Sequence, residues 1–412
     1  MAQLVPIFAL LFSTAFLLAG NGLHSLLLPL RGAAEGFSTN QLGLLGTGWA
    51  TGFVLGCLTA PIVVRRVGHI RAFACSAAFA SIIILLNGIF VIPLAWIFLR
   101  AGSGFFIAGA FMIIESWLNE RATNANRGTV FALYMMVTYA SIMVGQMVVA
   151  YSDVTTASLF MVTGILYCFS LIPTAVSSQA SPRPLEDVAL DLRGLYANSP
   201  VSLGACLLIG VANGSWGTLG AVYGARIEIS TPEIALMMSL VVVAGAAMQM
   251  PIGRISDMTD RRYVLAAGSV VAALVGLLIF LLTPRAGPVV IAMTACYGAL
   301  AYTLYPVAVA HANDHARAED FAKVSSGLLL LYGFGTMIGP ILGSALMSYT
   351  RPEGLFVATA IAHFALAAFT VLRIRRRAAV PVGDREAFQT MPADRATPEA
   401  ARLDPRTSNS EN

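Results

Sequence analysis

Residues 100–146 read RAGSGFFIAGAFMIIESWLNERATNANRGTVFALYMMVTYASIMVGQ. Two long apolar runs flank a polar turn in this stretch, and Glu115 lies near the end of the first run. A helix needs about 20 mostly apolar residues to cross a bilayer. The stretch therefore predicts two membrane-spanning helices joined by a short polar loop, with a carboxylate inside the first helix.

Glu115 is the only one of the 21 acidic residues that falls inside a predicted span. A carboxylate in hydrocarbon is costly, so one that is kept there indicates a functional site. The alternative is that Glu115 lies near the water interface as an ordinary acid at a helix end. The interruption of two long apolar runs at this point favours the functional interpretation.

The rest of the chain has the same composition. Of its 412 residues, 57% are hydrophobic and 11% are charged, whereas soluble proteins contain roughly 25% charged residues. This balance is typical of an all-α integral membrane protein. Windows of spanning length predict twelve transmembrane helices, at approximately 5–30, 41–64, 72–92, 94–118, 129–150, 158–176, 201–223, 234–252, 264–283, 288–311, 324–349 and 354–373.

The basic residues of the loops predict the orientation, because Lys and Arg are concentrated on the cytoplasmic side. With the N-terminus placed inside, the inner loops hold twelve basic residues and the cluster Arg373, Arg375, Arg376 and Arg377 brings the inner side to sixteen, whereas the outer loops hold four. We therefore expect both termini to be cytoplasmic. The net charge of +4 reflects this asymmetry and does not indicate a nucleic-acid partner.

Similar motifs recur about 190 residues apart. Asn21-Gly22 in span 1 matches Asn213-Gly214 in span 7, and Gly145-Gln146 in span 5 matches Gly339-Pro340 in span 11. Repeats of this kind predict two pseudo-symmetric halves of six helices. The predicted domains are 1–176 for the N-terminal half, 177–200 for a cytoplasmic linker, 201–375 for the C-terminal half and 376–412 for a disordered cytoplasmic tail.

Basic motifs follow spans 2 and 8 in the two halves, at the positions Arg65, Arg66, Gly68, Gly253, Asp257, Arg261 and Arg262. Together with twelve spans, these motifs resemble the major facilitator superfamily of transporters. Ile114-Glu115-Ser116, the segment from Asn126-Arg127-Gly128 to Tyr134-Met135-Met136, and Thr303 to Ala308 are similar to the YcaD-like bacterial permeases. The resemblance extends to riboflavin permeases of α-proteobacteria.

Two departures from the superfamily pattern qualify what the resemblance implies. Arg65 stands where the first inner motif usually has Asp, so the conformational latch that the family forms is expected to rest mainly on the second half. The glycine motif that marks drug/proton antiporters in span 5 is found instead in span 11, at Gly335, Gly339, Pro340 and Gly343. This displacement disfavours the antiporter interpretation.

The resemblance implies that spans 1, 4, 7 and 10 line a central cavity. Their polar and aromatic residues, joined by two from spans 5 and 11, form the candidate substrate site: Asn21, His24, Asn213, Trp216, Tyr302, Tyr305, Gln146 and Tyr332. This set offers rings and amides but few charges. It suits a planar, mostly neutral heterocycle better than a sugar phosphate or dicarboxylate, which would need several Arg or Lys. For each residue, helix packing remains the alternative.

Proton coupling is assigned to Glu115 and Arg100, since Arg100 resembles the superfamily arginine of span 4. The two are fifteen residues apart on one helix, which corresponds to about 22 Å at 1.5 Å per residue. They cannot pair directly, so each needs another partner that the sequence does not identify.

These features predict a secondary transporter of the bacterial inner membrane that takes up an aromatic nutrient such as riboflavin with protons. Proton-coupled efflux of drugs or metabolites is the alternative, and a membrane sensor that does not transport is a third. We expect a monomer in the lipid bilayer that binds a small-molecule substrate and no nucleic acid.

No Walker A, GxSxG or HExxH string is present, so neither ATP-driven transport nor an enzyme is predicted. His311 and His315 have metal-like spacing, but the sequence offers no fourth ligand, and no metal or cofactor is expected.

Overall fold

The computed structural model describes residues 5–123, 126–176, 185, 191–317, 320–376, 379–381, 383, 385–391 and 397–399. Within these ranges the protein is helical and has no strand. Its helices are α1 Val5–Ala34, α2 Thr39–Val67, α3 His69–Ile89, α4 Pro93–Arg121, α5 Arg127–Ala150, α6 Ser158–Phe169, α7 Leu171–Val176, α8 Leu192–Asn198, α9 Pro200–Arg226, α10 Thr231–Met258, α11 Arg261–Leu282, α12 Gly287–Ala301, α13 Leu304–Asn313, α14 Phe321–Tyr349 and α15 Gly354–Ile374.

The twelve predicted spans correspond to these helices within a few residues at most ends. Among the described residues, eleven apolar segments are long enough to cross a membrane, and a twelfth, Ser158–Thr174, is shorter. The prediction of twelve transmembrane helices in an all-α fold is confirmed. α8 is an additional short helix.

One span is broken where proline removes a backbone donor. α12 ends before Tyr302, and α13 begins at Leu304. Pro306 has no N–H to donate to the carbonyl of Tyr302, and its ring disfavours a continuous helix. The Tyr302 nitrogen still donates to the Gly298 carbonyl over 3.1 Å, so the interruption is only two residues long. Broken helices of this kind often mark the substrate site of a transporter.

The contacts divide the chain into two compact units. The N-terminal unit comprises Met1–Phe37, Gly48–Ala189 and Thr397–Asn412, and the C-terminal unit comprises Ser38–Thr47 and Leu190–Ala396.

The internal repeat is visible in how helices pack inside each unit. In the N-terminal unit, a methyl group at Gly145 of α5 would lie 2.8 Å from the Leu23 nitrogen of α1. In the C-terminal unit, a methyl group at Gly339 of α14 would lie 2.8 Å from the Ser215 nitrogen of α9. Ser215 follows Leu23 by 192 residues and Gly339 follows Gly145 by 194, so the two crossings repeat the same register.

A second pair of glycines repeats the same two crossings. A methyl group at Gly22 would lie 2.5 Å from the Ile142 carbonyl oxygen, and one at Gly214 would lie 2.7 Å from the Thr336 Cα. Small residues let membrane helices approach closely. The Asn-Gly pairs of spans 1 and 7 therefore have a packing role at Gly22 and Gly214, which leaves the role of the asparagines to be explained.

Residues 385–391 of the predicted tail have specific partners in the C-terminal unit. The Gln249 amide donates to the Met391 carbonyl over 3.1 Å and accepts from the Met391 nitrogen over 3.0 Å. The Phe388 nitrogen donates to the Asp257 carboxylate over 3.1 Å. Residues 400–412 lie outside the described residues, and there the predicted disorder stays a prediction.

Candidate functional site

Two buried polar side chains of α1 occupy the interior of the N-terminal unit. Asn21 and His24 are 1% and 0% exposed. The Tyr167 hydroxyl of α6 lies 3.1 Å from His24 Nδ1, whereas His24 Nε2 and both amide atoms of Asn21 have no hydrogen-bond partner among the described residues. Buried polar groups are nearly always paired, so such groups need an explanation.

Arg100 of α4 lies near enough to His24 for the two to interact electrostatically. Its guanidinium carbon lies 5.8 Å from the centre of the Trp49 ring. The close crossing of α2 and α4 brings Trp49 there, because Gly104 leaves no side chain between the two helices. A cation over an indole face is stabilised electrostatically.

Glu115 is fully buried at 0% exposure. The Tyr134 hydroxyl of α5 donates to its Oε1 over 2.7 Å, and the Thr397 hydroxyl donates to its Oε2. The carboxylate therefore has partners on both oxygens, and neither is Arg100. Gln146, the remaining candidate of this unit, is buried on α5 beside Gly145.

In the C-terminal unit, Asn213 is buried without hydrogen-bond partners within the described ranges, as Asn21 is in the N-terminal unit. It is 3% exposed, and both atoms of its amide have no hydrogen-bond partner in the part of the chain that the structure describes. Asn213 follows Asn21 by 192 residues, the same displacement that relates the helix crossings. Asn21 and Asn213 thus form an equivalent pair of buried, unpaired asparagines, one in each unit. The amides of Asn87 and Asn313, which are not related by this displacement, also have no partner among the described residues.

The candidate aromatic residues of the C-terminal unit are divided between two places. Tyr305 and Tyr332 contact each other edge to face, with ring centroids 5.2 Å apart. Trp216 instead packs in an aromatic cluster with Tyr297 and Phe356, at centroid distances of 6.0 and 5.8 Å.

Tyr302 lies at the break between α12 and α13. A methyl group at Gly245 of α10 would lie 2.5 Å from the Tyr302 Cβ, so this glycine admits the tyrosine against α10. The break between α12 and α13 therefore packs closely against α10.

The conformational motif forms a charged network in the C-terminal unit. Arg261, 1% exposed, donates to Asp314 over 2.7 Å and to Asp257 over 2.8 Å. Arg262 binds Asp260 over 2.7 Å. Burial of Asp260 would raise its pKa, but hydrogen bonds from Arg262 outweigh burial and hold the pKa below the ordinary value.

The equivalent residues of the first half are arranged differently. Arg65 and Arg66 are exposed at the end of α2. Gly68 connects α2 to α3 with a φ of 83°, a conformation that favours glycine. Gly253 of the second motif lies under the tail, since a methyl group there would overlap the Phe388 ring.

Several partners of the candidate residues were not predicted from the sequence. They are Trp49, Tyr134, Tyr167, Asp314 and Thr397. The presence of Tyr134 in a segment similar to the YcaD-like permeases was the one available signal. Glu353, 0% exposed at the start of α15, was also missed; it pairs with Arg285 and lies 3.7 Å from Arg351.

The chemistry of the site is that of hydrogen bonding and ring contact. Among the described residues, no group of three or more His, Cys, Asp and Glu side chains could hold a metal ion. Asp314, which lies between His311 and His315, points to Arg261 instead. Unpaired amides and tyrosine rings can bind a polar heterocycle, and a buried carboxylate can exchange a proton.

Comparisons with known proteins give one family. The family model described as Major Facilitator Superfamily matches residues 201–406, half of the chain. An uncharacterized transporter of this type, YcaD of Shigella flexneri serotype 5b, is 27% identical over 362 residues, which cover 87% of this chain and 93% of that protein. YcaD of Escherichia fergusonii is 26% identical over 381 residues, covering 92% and 98%.

Solved structures share the fold at lower identity. The nucleoside transporter NupG has a TM-score of 0.77 at 12% identity and covers 90% of this chain and 100% of that one. A D-xylose-proton symporter has a TM-score of 0.63 at 16% identity, with coverages of 96% and 99%. At such identities the likeness establishes the architecture alone.

Proposed function

The chain belongs to the Major Facilitator Superfamily, and from this premise we propose that it takes up a small, mostly neutral aromatic solute, such as riboflavin, together with protons. As a multi-pass membrane transporter, it moves its solute by alternating access, in which a site near the membrane centre opens to each side in turn. The excess of Lys and Arg in alternate loops supports a bacterial inner-membrane location with both termini cytoplasmic.

The unpaired amides of Asn21 and Asn213 carry this proposal. A buried polar group without a partner costs about 1–3 kcal/mol, and the chain carries one at the same position of each repeat. A ligand that accepts and donates hydrogen bonds would satisfy either amide when it binds there. An aromatic heterocycle with carbonyl and N–H groups along its edge has this chemistry.

The other candidate side chains of each unit support a neutral, flat ligand. Tyr305 and Tyr332 supply ring edges and faces, and aromatic rings contact one another favourably in such geometries. Arg100 is the one arginine of the candidate set, and it lies over the Trp49 ring. A dicarboxylate or sugar phosphate would be expected to require several such cations.

Proton coupling is proposed at Glu115. Tyr134 and Thr397 donate hydrogen bonds to this buried carboxylate. Hydrogen bonds of this kind favour the charged form of an acid, so movement of the donors away from Glu115 would favour uptake of a proton. The structural likeness to a D-xylose-proton symporter accords with a proton gradient as the energy source. The likeness to a nucleoside transporter accords with a heterocyclic substrate.

Uptake of labelled riboflavin tests the proposal. A bacterial strain that cannot synthesise riboflavin would be compared with and without the protein, in the presence and absence of a protonophore. We expect protein-dependent accumulation that the protonophore abolishes. Unlabelled nucleosides and xylose, added in excess, would measure how narrowly the site selects its ligand.

Three other results would revise the proposal in different ways. Protein-dependent entry that the protonophore leaves unchanged would replace proton coupling with facilitated diffusion. Lower accumulation with the protein than without it would indicate efflux. The absence of any effect of the protein would exclude riboflavin as a substrate.

A further inference from the structure

A cavity of about 320 Å³ lies among helix ends of the C-terminal unit, apart from the candidate substrate residues. Its walls come from four helix ends and the short helix α8, and they include Tyr196, Val201, Arg262, His311, Arg373 and Arg376. The volume is at the lower end of the range for small-molecule sites, about 300–1,000 Å³. No Asp or Glu is among the described residues that line it.

The charge of this cavity is positive. Arg262 is neutralised by Asp260, but no carboxylate partner of Arg373 or Arg376 is found among the described residues. The Arg373 guanidinium lies 5.6 Å from the centre of the Tyr196 ring, so an aromatic face holds it at the wall. Arg373 and Arg376 therefore give the cavity positive charge that no described carboxylate balances.

Two further features of the wall favour an oxyanion. α9, a helix of 27 residues, begins at Pro200, and the Ser199 side chain already accepts from the Ser202 nitrogen. The contribution of α9 to anion binding is therefore the positive end of the helix dipole rather than a set of open N–H donors. His311 is 7% exposed, and no hydrogen bond to its ring nitrogens is recorded within the described ranges. Its ring is held edge to face by His315, with centroids 4.8 Å apart.

We propose that this cavity binds a phosphate group, and that the phosphate belongs to an anionic membrane lipid. Guanidinium groups match the oxygen geometry of phosphate. Basic pockets between membrane helices on the cytoplasmic side are known to hold lipid headgroups. Two exposed apolar side chains precede residues of the cavity wall in the chain. Leu192 precedes Tyr196 on α8 and is 49% exposed, and Leu372 precedes Arg373 on α15 and is 62% exposed. They offer a surface for acyl chains that a soluble phosphate would not use.

Native mass spectrometry of the purified full-length protein tests this inference. Protein in detergent would be mixed with phosphatidylglycerol, with phosphatidylcholine, or with inorganic phosphate alone. We expect retained phosphatidylglycerol to exceed phosphatidylcholine by about tenfold, which corresponds to about 1.4 kcal/mol. The double variant Arg373→Gln/Arg376→Gln should lose this preference.

Arg375→Gln is the matched control, because Arg375 is an exposed arginine between the two that is not part of the cavity wall. It should retain the lipid preference, and the melting temperatures of both variants would establish that they are folded. Tyr196→Leu should weaken retention by releasing Arg373 from the ring. Equal retention of the two lipids by the unaltered protein, or an equal loss in Arg375→Gln, would overturn the inference. Binding of inorganic phosphate without lipid preference would retain the phosphate site but reject the lipid as its source.

Discussion

The Tyr134 hydroxyl donates a hydrogen bond to Glu115 Oε1 over 2.7 Å. The two residues lie on α4 and α5, on opposite sides of the polar turn that separates the two apolar runs of residues 100–146. Because the carboxylate is fully buried, this bond replaces hydration that an exposed acid would have. The pair provides Glu115 with the partner that Arg100, fifteen residues earlier on the same helix, cannot supply.

Glu115→Gln should separate proton coupling from substrate movement. The amide keeps the shape of the carboxylate and does not titrate near neutral pH. Its oxygen can still accept one of the two hydrogen bonds, whereas its NH2 group can only donate to the other hydroxyl. We expect gradient-driven accumulation to fall by about tenfold or more, within the range that a missing proton-transfer group produces. Exchange of labelled for unlabelled substrate across vesicle membranes, which needs no net proton transfer, should persist.

Glu120→Gln is the control for this experiment, since Glu120 is an exposed acid at the end of the same helix. It should leave both accumulation and exchange unchanged. Loss of exchange in Glu115→Gln, with normal expression, would instead identify Glu115 as a substrate ligand or a structural residue. Accumulation at the unaltered rate would remove Glu115 from the proton path.

Asn21→Leu and Asn213→Leu should reduce transport without reducing stability. Neither amide has a hydrogen-bond partner in the described structure, so its replacement by an apolar side chain of similar size breaks no bond and removes a desolvation cost. Melting temperatures in detergent should stay the same or rise. The apparent KM for uptake should increase by about tenfold, as expected for the loss of one or two hydrogen bonds of about 0.5–1.5 kcal/mol each.

Ser215→Ala, on the same helix as Asn213, should reduce stability without reducing transport. The Ser215 hydroxyl donates to the Gly339 carbonyl over 2.7 Å, so its removal should lower the melting temperature while uptake keeps its KM. If Asn21→Leu and Asn213→Leu behaved as Ser215→Ala does, the asparagines would have a structural role and the proposed substrate site would lose its principal support.

The fold could be predicted from the sequence because its determinants are local. Spanning length, low charge and the recurring Asn-Gly pairs are visible within short windows. The sequence predicts an unbroken span at 288–311, whereas the structure divides it between α12 and α13, where Pro306 lacks the N–H that a continuous helix would use. The partners of Glu115 could not be predicted in the same way. Tyr134 is one of several aromatic residues on α5, and which of them faces Glu115 depends on how α4 and α5 rotate against each other.

The tail shows a second limit of predicting structure from the sequence. Its Pro, Asp, Arg and Thr content predicts disorder, because composition measures how much apolar area a segment can bury. Residues 385–391 instead use backbone groups, which composition does not report, to bind Asp257 and Gln249. Such docking depends on polar groups that the fold of the C-terminal unit has already positioned.

Gly145→Ala and Gly339→Ala should destabilise the protein to a similar extent, since the two glycines make equivalent crossings. An added methyl group would meet backbone atoms of the facing helix in each case, and backbone cannot move aside as a flexible side chain can. Overpacking of this kind costs about 1–3 kcal/mol, which should lower the melting temperature in detergent.

Gly217→Ala is the matched control, because a methyl group there would meet nothing within 4 Å. Alanine is favoured over glycine in a helix by about 1 kcal/mol, so this variant should keep or raise the melting temperature. A destabilising effect of Gly217→Ala equal to that of the other two would attribute all three effects to helix flexibility rather than to the close crossings.

Gln249→Ala should release the tail from the C-terminal unit. The Gln249 side chain makes two hydrogen bonds to the backbone of Met391, and their loss should cost about 1–3 kcal/mol. Proteolysis of a segment that opens transiently follows the population of its open form. Trypsin cleavage after Arg385 should therefore be about tenfold faster in Gln249→Ala, as measured by mass spectrometry of the released peptide.

The control is Gln41→Ala, because Gln41 binds the Ser38 nitrogen before α2 and has no recorded contact with the tail; its cleavage rate should match that of the unaltered protein. Phe388→Ala, which removes the ring from Gly253, should accelerate cleavage as Gln249→Ala does. Equal cleavage rates in all four proteins would mean that the tail is undocked in solution.

If docking holds, uptake by Gln249→Ala becomes informative, because the same tail segment also binds Asp257 of the conformational motif. A changed uptake rate with an unchanged KM would then indicate that the tail influences the conformational step rather than substrate binding.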